Sequence, residues 1–168
     1  MDFYEVIEKR RSVRAYKSDP IPETALQNIA KAVQLAPSAC NLQPWKIQII
    51  TDAKLRAKIC ANYPAPWLAQ APAIAVALGN SEECWKRPEG KAIIDIDTGI
   101  VMEHLVLAAC AEGLASCWIC AYNSENMDAA LEVSAPWSVL AISPLGYSNE
   151  EKAKEMKRKD INEIFELI

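Results

Sequence analysis

A chain of 168 residues with 51% hydrophobic content can bury the core of one domain, and no linker, repeat or low-complexity tract divides residues 1–168 into two. A formal net charge of −4 and a pI near 5.1 exclude the broad basic face that nucleic acid or anionic lipid requires. Any anion the chain binds must therefore be met by a local cluster of cations.

In chain order, Asp2 is placed to cap a short helix in which Phe3, Val6 and Ile7 share a face. The basic stretch RRSVRAY, Arg10 to Tyr16, follows as that helix ends. Pro20 and Pro22 stop and restart the chain. With Pro22 near the first helical position and Glu23 in the first turn, Leu26, Ile29, Ala30 and Val33 recur at helical spacing, up to a stop before Pro37. PSACNLQPW, residues 37–45, reads as an irregular loop. It leads into WKIQIIT, where Trp45, Ile47 and Ile49 alternate with Lys46 and Gln48 as in a half-buried strand.

DAKLRAKICA reads as a short helix, and the continuous apolar run AIAVAL, residues 73–78, as a central strand. The polar stretch 80–91 is expected as a mobile excursion. Ala92 to Glu112 is expected as a helix apolar on nearly every side, closed by Gly113 in a left-handed cap and covered in part by a second subunit. Beyond it, ASCWICAY reads as a strand, SENMDAALEV as a helix capped by Ser124, SVLAI as a strand, and EEKAKEMKRKD as a charged tail before the apolar INEIFELI.

The longest greasy stretch, residues 99–121, is interrupted by Glu103, His104 and Glu112, so it is expected as core and not as a membrane span. The N-terminus carries acids and no apolar signal segment. Six cysteines in such a chain are expected as reduced thiols in a cytoplasmic setting.

The five glycines stand at 79, 90, 99, 113 and 146, so neither a dinucleotide fingerprint nor a P-loop can be written. A single histidine, His104, excludes multi-His metal cages and relays, and it is expected as a satisfied interior residue. No metal site is expected. CWIC, Cys117 to Cys120, matches C-x-x-C, but on a strand residues i and i+3 point to opposite faces, where two sulfurs cannot pair or share a metal.

Three arginines and a serine in Arg10–Arg14 suit a phosphate ester: guanidinium forks match phosphate oxygens bidentately, and an extended SVRAY sends Ser12 and Arg14 to one face with Val13 to the other. Taken alone, the same residues would also serve as a solvated basic patch complementing a helix C-terminus. Likewise PSACNLQPW alone would be an ordinary helix-to-strand turn.

Read together and in order, RRSVRAY, PSACNLQPW, GLASCWICAY (residues 113–122), SPLGY (143–147) and KRKDINEI (157–164) resemble the nitroreductase family of FMN-dependent flavoproteins. The resemblance spans nearly the whole chain, with the P-S-x-x-N-x-Q-P-W string its most specific part. It implies an α+β fold, a three-layer α/β/α arrangement around a mixed, mainly antiparallel sheet, assembled as an intertwined homodimer with FMN at the interface.

By the same resemblance, Arg10, Arg11 and Ser12 are expected on the phosphate and ribityl chain and Arg14 near the flavin's pyrimidine edge. Pro37, Ser38, Ala39 and Asn41 would lie against the flavin from the partner subunit. The backbone of Ile119, Cys120 and Ala121 would run past flavin N5, with cysteine at 120 where relatives more often carry glycine. Arg158 matches one of the family's two late basic residues, Met156 stands in the other's place, and Lys157 is the candidate substitute. The implied activity is ping-pong electron transfer from NADH or NADPH to a nitroaromatic, quinone or similar small acceptor, with no catalytic side chain nominated. The alternatives are an FMN protein acting on an enone or halogenated aromatic, and a non-enzymatic phosphate-ligand-binding module. Cys40, Trp67 and the stretch Cys84–Arg87 are pocket-wall candidates by position only.

Overall fold

The computed structural model describes residues 1–151 and 156–168; residues 152–155 of the charged tail lie outside that description. Helix α1 is Phe3–Lys9, where Asp2 and Glu5 form a reciprocal capping box. Val6 is its buried residue. Phe3 and Ile7, expected on the same apolar face, are exposed. Helix α2, Glu23–Gln34, starts directly after Pro22 and ends before Pro37 as its spacing requires.

Strands β1 (Trp45–Ile50), β2 (Ala73–Asn80), β3 (Ala115–Ser116) and β4 (Trp137–Gly146) form one antiparallel sheet in the order β1-β2-β4-β3. The parallel component of the expected mixed sheet is a bridge between Ser12 and Ser116. All of β2 is buried, as a continuous apolar run in a central strand should be.

The alternation of β2 sorts the two helical layers. Ala73, Ala75 and Ala77 share a core with Ile29 of α2 and with Met102, Leu105, Val106 and Ala109 of α4 (Ile94–Ala111). Ile74, Val76 and Leu78 pack on the other face with Ile59 of α3 (Ala53–Asn62) and Met127 of α5 (Ser124–Ala130). Small residues thus face the long helix and large β-branched or γ-branched ones face the short helices, which gives the α/β/α layering.

Five expectations need correction. Strand β4 runs past SVLAI to Gly146 and includes Pro144, at which a reading based on ladder donors would stop. ASCWICAY is a strand only over Ala115–Ser116; afterwards Ile119 forms a single bridge to Ile142, and the chain turns at Cys120. Helix α5 is capped by Asn123, whose Oδ1 accepts from the Asn126 N–H at 2.8 Å, and not by Ser124. The stretch 80–91 closes into a turn and hairpin: Asn80 Oδ1 accepts from Glu82 and Glu83, Cys84 is buried, and Lys86 bridges Ala92 across Gly90 at φ +85°. Helix α4 begins at Ile94, two residues later than expected, and Gly113 follows it at φ +75°.

Candidate functional site

The basic stretch is extended because α1 ends when Arg10 adopts ψ 129°. It is then stitched to the sheet. The Val13 N–H donates to Ser116 O at 2.9 Å, Lys17 N–H to Tyr147 O at 2.9 Å, and the Tyr16 hydroxyl to Val13 O at 2.7 Å. Val13 is buried between the exposed Ser12 and Arg14, the alternation that the sequence implied, but Tyr16, two positions beyond Arg14, is buried as well.

Lys9, Arg10 and Arg11 line an open cavity of about 340 Å³ against Cys110 and Gly113 at the end of α4 and Ser116 of β3. Arg10 also lines an adjoining cavity of about 360 Å³ with Arg158, Met156 and Glu103. The chain therefore brings Arg158, from its far end, beside Arg10. Lys157 lines neither cavity; its carbonyl accepts from Arg158 Nη1 at 3.3 Å.

Three acids enter this basic cluster, Glu8 and Glu103 in the second cavity and Glu150 in the first. Glu150 lines the first cavity, and its Oε1 accepts from the Arg14 N–H at 2.9 Å. Two thiols border the cluster as well. Burial pushes the Cys110 thiol up, with Arg10, Lys9 and Arg11 pulling it partly back. Burial does the same to Cys117, against the pull of Arg14 and a hydrogen bond from Ser12.

The Arg14 guanidinium lies 6.0 Å from the centre of the Trp67 ring. Trp67 stacks on Tyr16 at 6.5 Å and meets Tyr63 edge-on at 5.9 Å. Trp67 is thus the platform for Arg14, a role that its sequence position did not reveal. Burial drives the Tyr16 hydroxyl far above the usual phenol range.

The loop at 37–43 is built differently. Cys40, Asn41 and Gln43 have φ of 50°, 55° and 50°, in the left-handed region that favours glycine. Ser38 Oγ accepts from the Gln43 N–H at 2.8 Å, Gln43 Nε2 donates to Asn41, and Asp97 Oδ1 accepts from the Ala39 N–H at 3.1 Å. Pro37, Cys40 and Asn41 are exposed; Ser38 and Ala39 are half-buried.

Asp97 is near the start of α4 and Cys110 near its end. The 13-residue step from one to the other places the loop about 20 Å along the helix from the arginine cavity. A single chain does not bring Pro37, Ser38, Ala39 and Asn41 to Arg10, Arg11 and Ser12. Ile119 is buried on Ile142, whereas Cys120 and Ala121 are exposed; Trp118, whose ring reaches Gly99 in α4, donates through Nε1 to Cys120 Sγ at 3.3 Å.

All six cysteines are free thiols; Cys117 is buried and Cys120 exposed. His104 Nδ1 donates to Ala32 O of α2 at 3.1 Å, the interior role expected for it. Among the described residues no three His, Cys, Asp or Glu side chains converge as a metal site needs. Among them, too, no helix is long and apolar enough to cross a membrane. Glu150 and Asp97 were missed by sequence reasoning: each acts on a backbone N–H far away in the chain, and no local motif marks such a contact.

Comparison with known proteins bears on this geometry. The model of the nitroreductase family matches residues 7–62 and 59–147. A protein named NADH dehydrogenase from Thermus thermophilus is 30% identical, over 85% of each chain. A nitroreductase family protein from Clostridium novyi superimposes with a TM-score of 0.84 at 34% identity, covering 92% of this chain and 89% of the other. An FMN-dependent nitroreductase from Clostridium difficile gives 0.82 at 27%, covering 97% and 98%. With its sheet, helical layers and arginine segment all in place, the chain belongs to the nitroreductase family.

Proposed function

We propose that this oxidoreductase carries FMN and transfers electrons from NADH or NADPH to a small acceptor such as a nitroaromatic or quinone, in ping-pong fashion. The observation that carries the reading is the cation-lined cavity where Lys9, Arg10 and Arg11 meet, continued through Arg10 to Arg158. These donors fit a phosphate monoester: the guanidinium forks of Arg10 and Arg11 and the Lys9 ammonium, with Ser148 in the same wall, are a donor set that such an anion can use. Arg10, Arg11, Ser12 and Arg158 would hold the phosphate end of FMN and Arg14 its pyrimidine edge, with Ile119, Cys120 and Ala121 alongside the ring. When bound, FMN would supply the two-electron redox chemistry of the reaction. The chain's part is placement and electrostatics.

The separation of the loop from the arginines supports a site completed by a second copy, whose Pro37, Ser38, Ala39 and Asn41 would close over the flavin. Exposed apolar side chains beside both halves agree with this: Phe3 and Ile7 near the arginines, and Leu35, Leu42 and Ile96 near the loop, are 46–76% exposed. Six free thiols favour a reducing, cytoplasmic setting. The test is the visible spectrum of purified protein and its bleaching by NADH or NADPH under nitrogen, followed by reoxidation with a panel of nitroaromatics and quinones. Colourless protein that does not take up FMN rejects the reading. Bound flavin with an inert panel rejects only the acceptor class.

A further inference from the structure

We propose that Asp97 is a positioning residue that clamps the 38–43 loop in the shape that meets the cofactor; the cofactor part of this inference rests on the FMN reading above. Three L-residues out of four, Cys40, Asn41 and Gln43, hold φ between 50° and 55°. Such a conformation persists only where the surroundings over-determine it. The bonds from Gln43 to Ser38 and Asn41 close the loop on itself but do not tie it to the body of the protein. Downstream, Pro44 O accepts from the Asn80 N–H at 2.8 Å, which fixes the exit of the loop. At its entrance, Asp97 Oδ1 supplies the anchor, on Ala39.

The cost of that anchor argues for its purpose. Asp97 is 1% exposed, in a helix whose other buried residues are almost all apolar, and its Oδ2 has no partner; neither has the neighbouring Thr98 Oγ1. A carboxylate buried with one hydrogen bond is costly. Asp97 does not cap its own helix: its N–H donates to Ile93 O, and the side-chain hydrogen bond goes to the loop. A carboxylate acceptor makes this bond about twice as strong as a neutral one would be, and the first turn of α4 offsets part of the burial cost. The clamped residues, Ser38 to Asn41, are those that the second copy would receive against its flavin.

Two readouts test this. In flavin-free protein, Asp97→Ala is expected to speed amide hydrogen exchange across residues 39–43 while leaving β2 unchanged. In an FMN titration it should weaken binding roughly ten- to a hundredfold, whereas Asp97→Asn, which retains an acceptor for Ala39, should stay within about threefold of the native protein. Thr98→Val, which removes the adjacent unpartnered hydroxyl, should alter neither readout. Should Asp97→Ala fail to fold, Ala39→Pro deletes the same bond from the loop side, since Ser38 at φ −139°, ψ 163° accepts a following proline; faster exchange at 41–43 is then expected. Unchanged loop exchange in a folded variant overturns the clamp whatever the flavin result. Faster exchange with native FMN affinity overturns the link to the cofactor. Native protein that binds no FMN overturns the cofactor part together with the reading it rests on, while the exchange data still decide the clamp.

Discussion

Arg10 is shared by both cavities, so Arg10→Ala removes a fork that faces Lys9 and Arg11 on one side and Arg158 on the other. A hydrogen bond to a charged group contributes about 1.5–3 kcal/mol, so losing the fork should weaken FMN binding roughly ten- to a hundredfold. The same loss should appear as stability. With free FMN at about 100 times the native Kd, binding adds about 2.7 kcal/mol; a tenfold weaker variant keeps about 1.4. For a chain of this size the difference lowers the FMN-bound Tm by about 3–5 °C. Arg10 is only half-buried, so the flavin-free Tm should move by far less. Arg10→Lys, a point charge without a fork, should fall between the two. The assay is flavin fluorescence quenching with paired melts with and without FMN. An unchanged Kd, or a Tm loss equal in both melts, would refute the assignment of Arg10 to the phosphate.

Trp67→Ala removes the ring beneath Arg14 and beside Tyr16; it should lower stability by about 2 kcal/mol, less than for a fully buried tryptophan, and weaken FMN severalfold in the same titration. Gly146→Ala would place a methyl carbon 2.6 Å from Pro72 Cδ and 3.4 Å from Tyr16, so urea melts should show a loss of about 1–3 kcal/mol from overpacking. Burial holds the Cys117 thiol above its ordinary 9.0, so the native state binds that proton more tightly than the unfolded chain. The associated stability is complete below about pH 9 and declines as pH rises beyond it, with Cys60 and Cys110 acting in the same direction. A Tm series from about pH 7 to about pH 11 should fall on the alkaline side, and less steeply in Cys117→Ala.

What could be read from the sequence was what is written locally. The Asp2 cap, the apolar run of β2 and the 3.6-residue spacing of α2 each have a signal within a few residues, and each element appears where that signal put it. Pro144 hid the end of β4, because a residue without an N–H argues against a strand even when the residues on both sides pair. β-rich composition suggested a strand through CWICAY, although the ladder continues only as far as Ser116. Of the site, the arginine segment and the 37–45 string were legible as motifs. The acids that organise them were not: Glu150 reaches Arg14 across 136 residues and Asp97 reaches Ala39 across 58, and such pairings exist only once the chain has folded.

Sedimentation of the purified protein monitored at both the protein and the flavin absorbance bands tests the shared site most directly. Yellow colour should travel with a particle of twice the 18.6 kDa chain mass, and dilution into monomer should release the flavin in step. Flavin held at full affinity by a particle of one chain would contradict the account, because there the loop of Asn41 and the arginines could not reach the same ring.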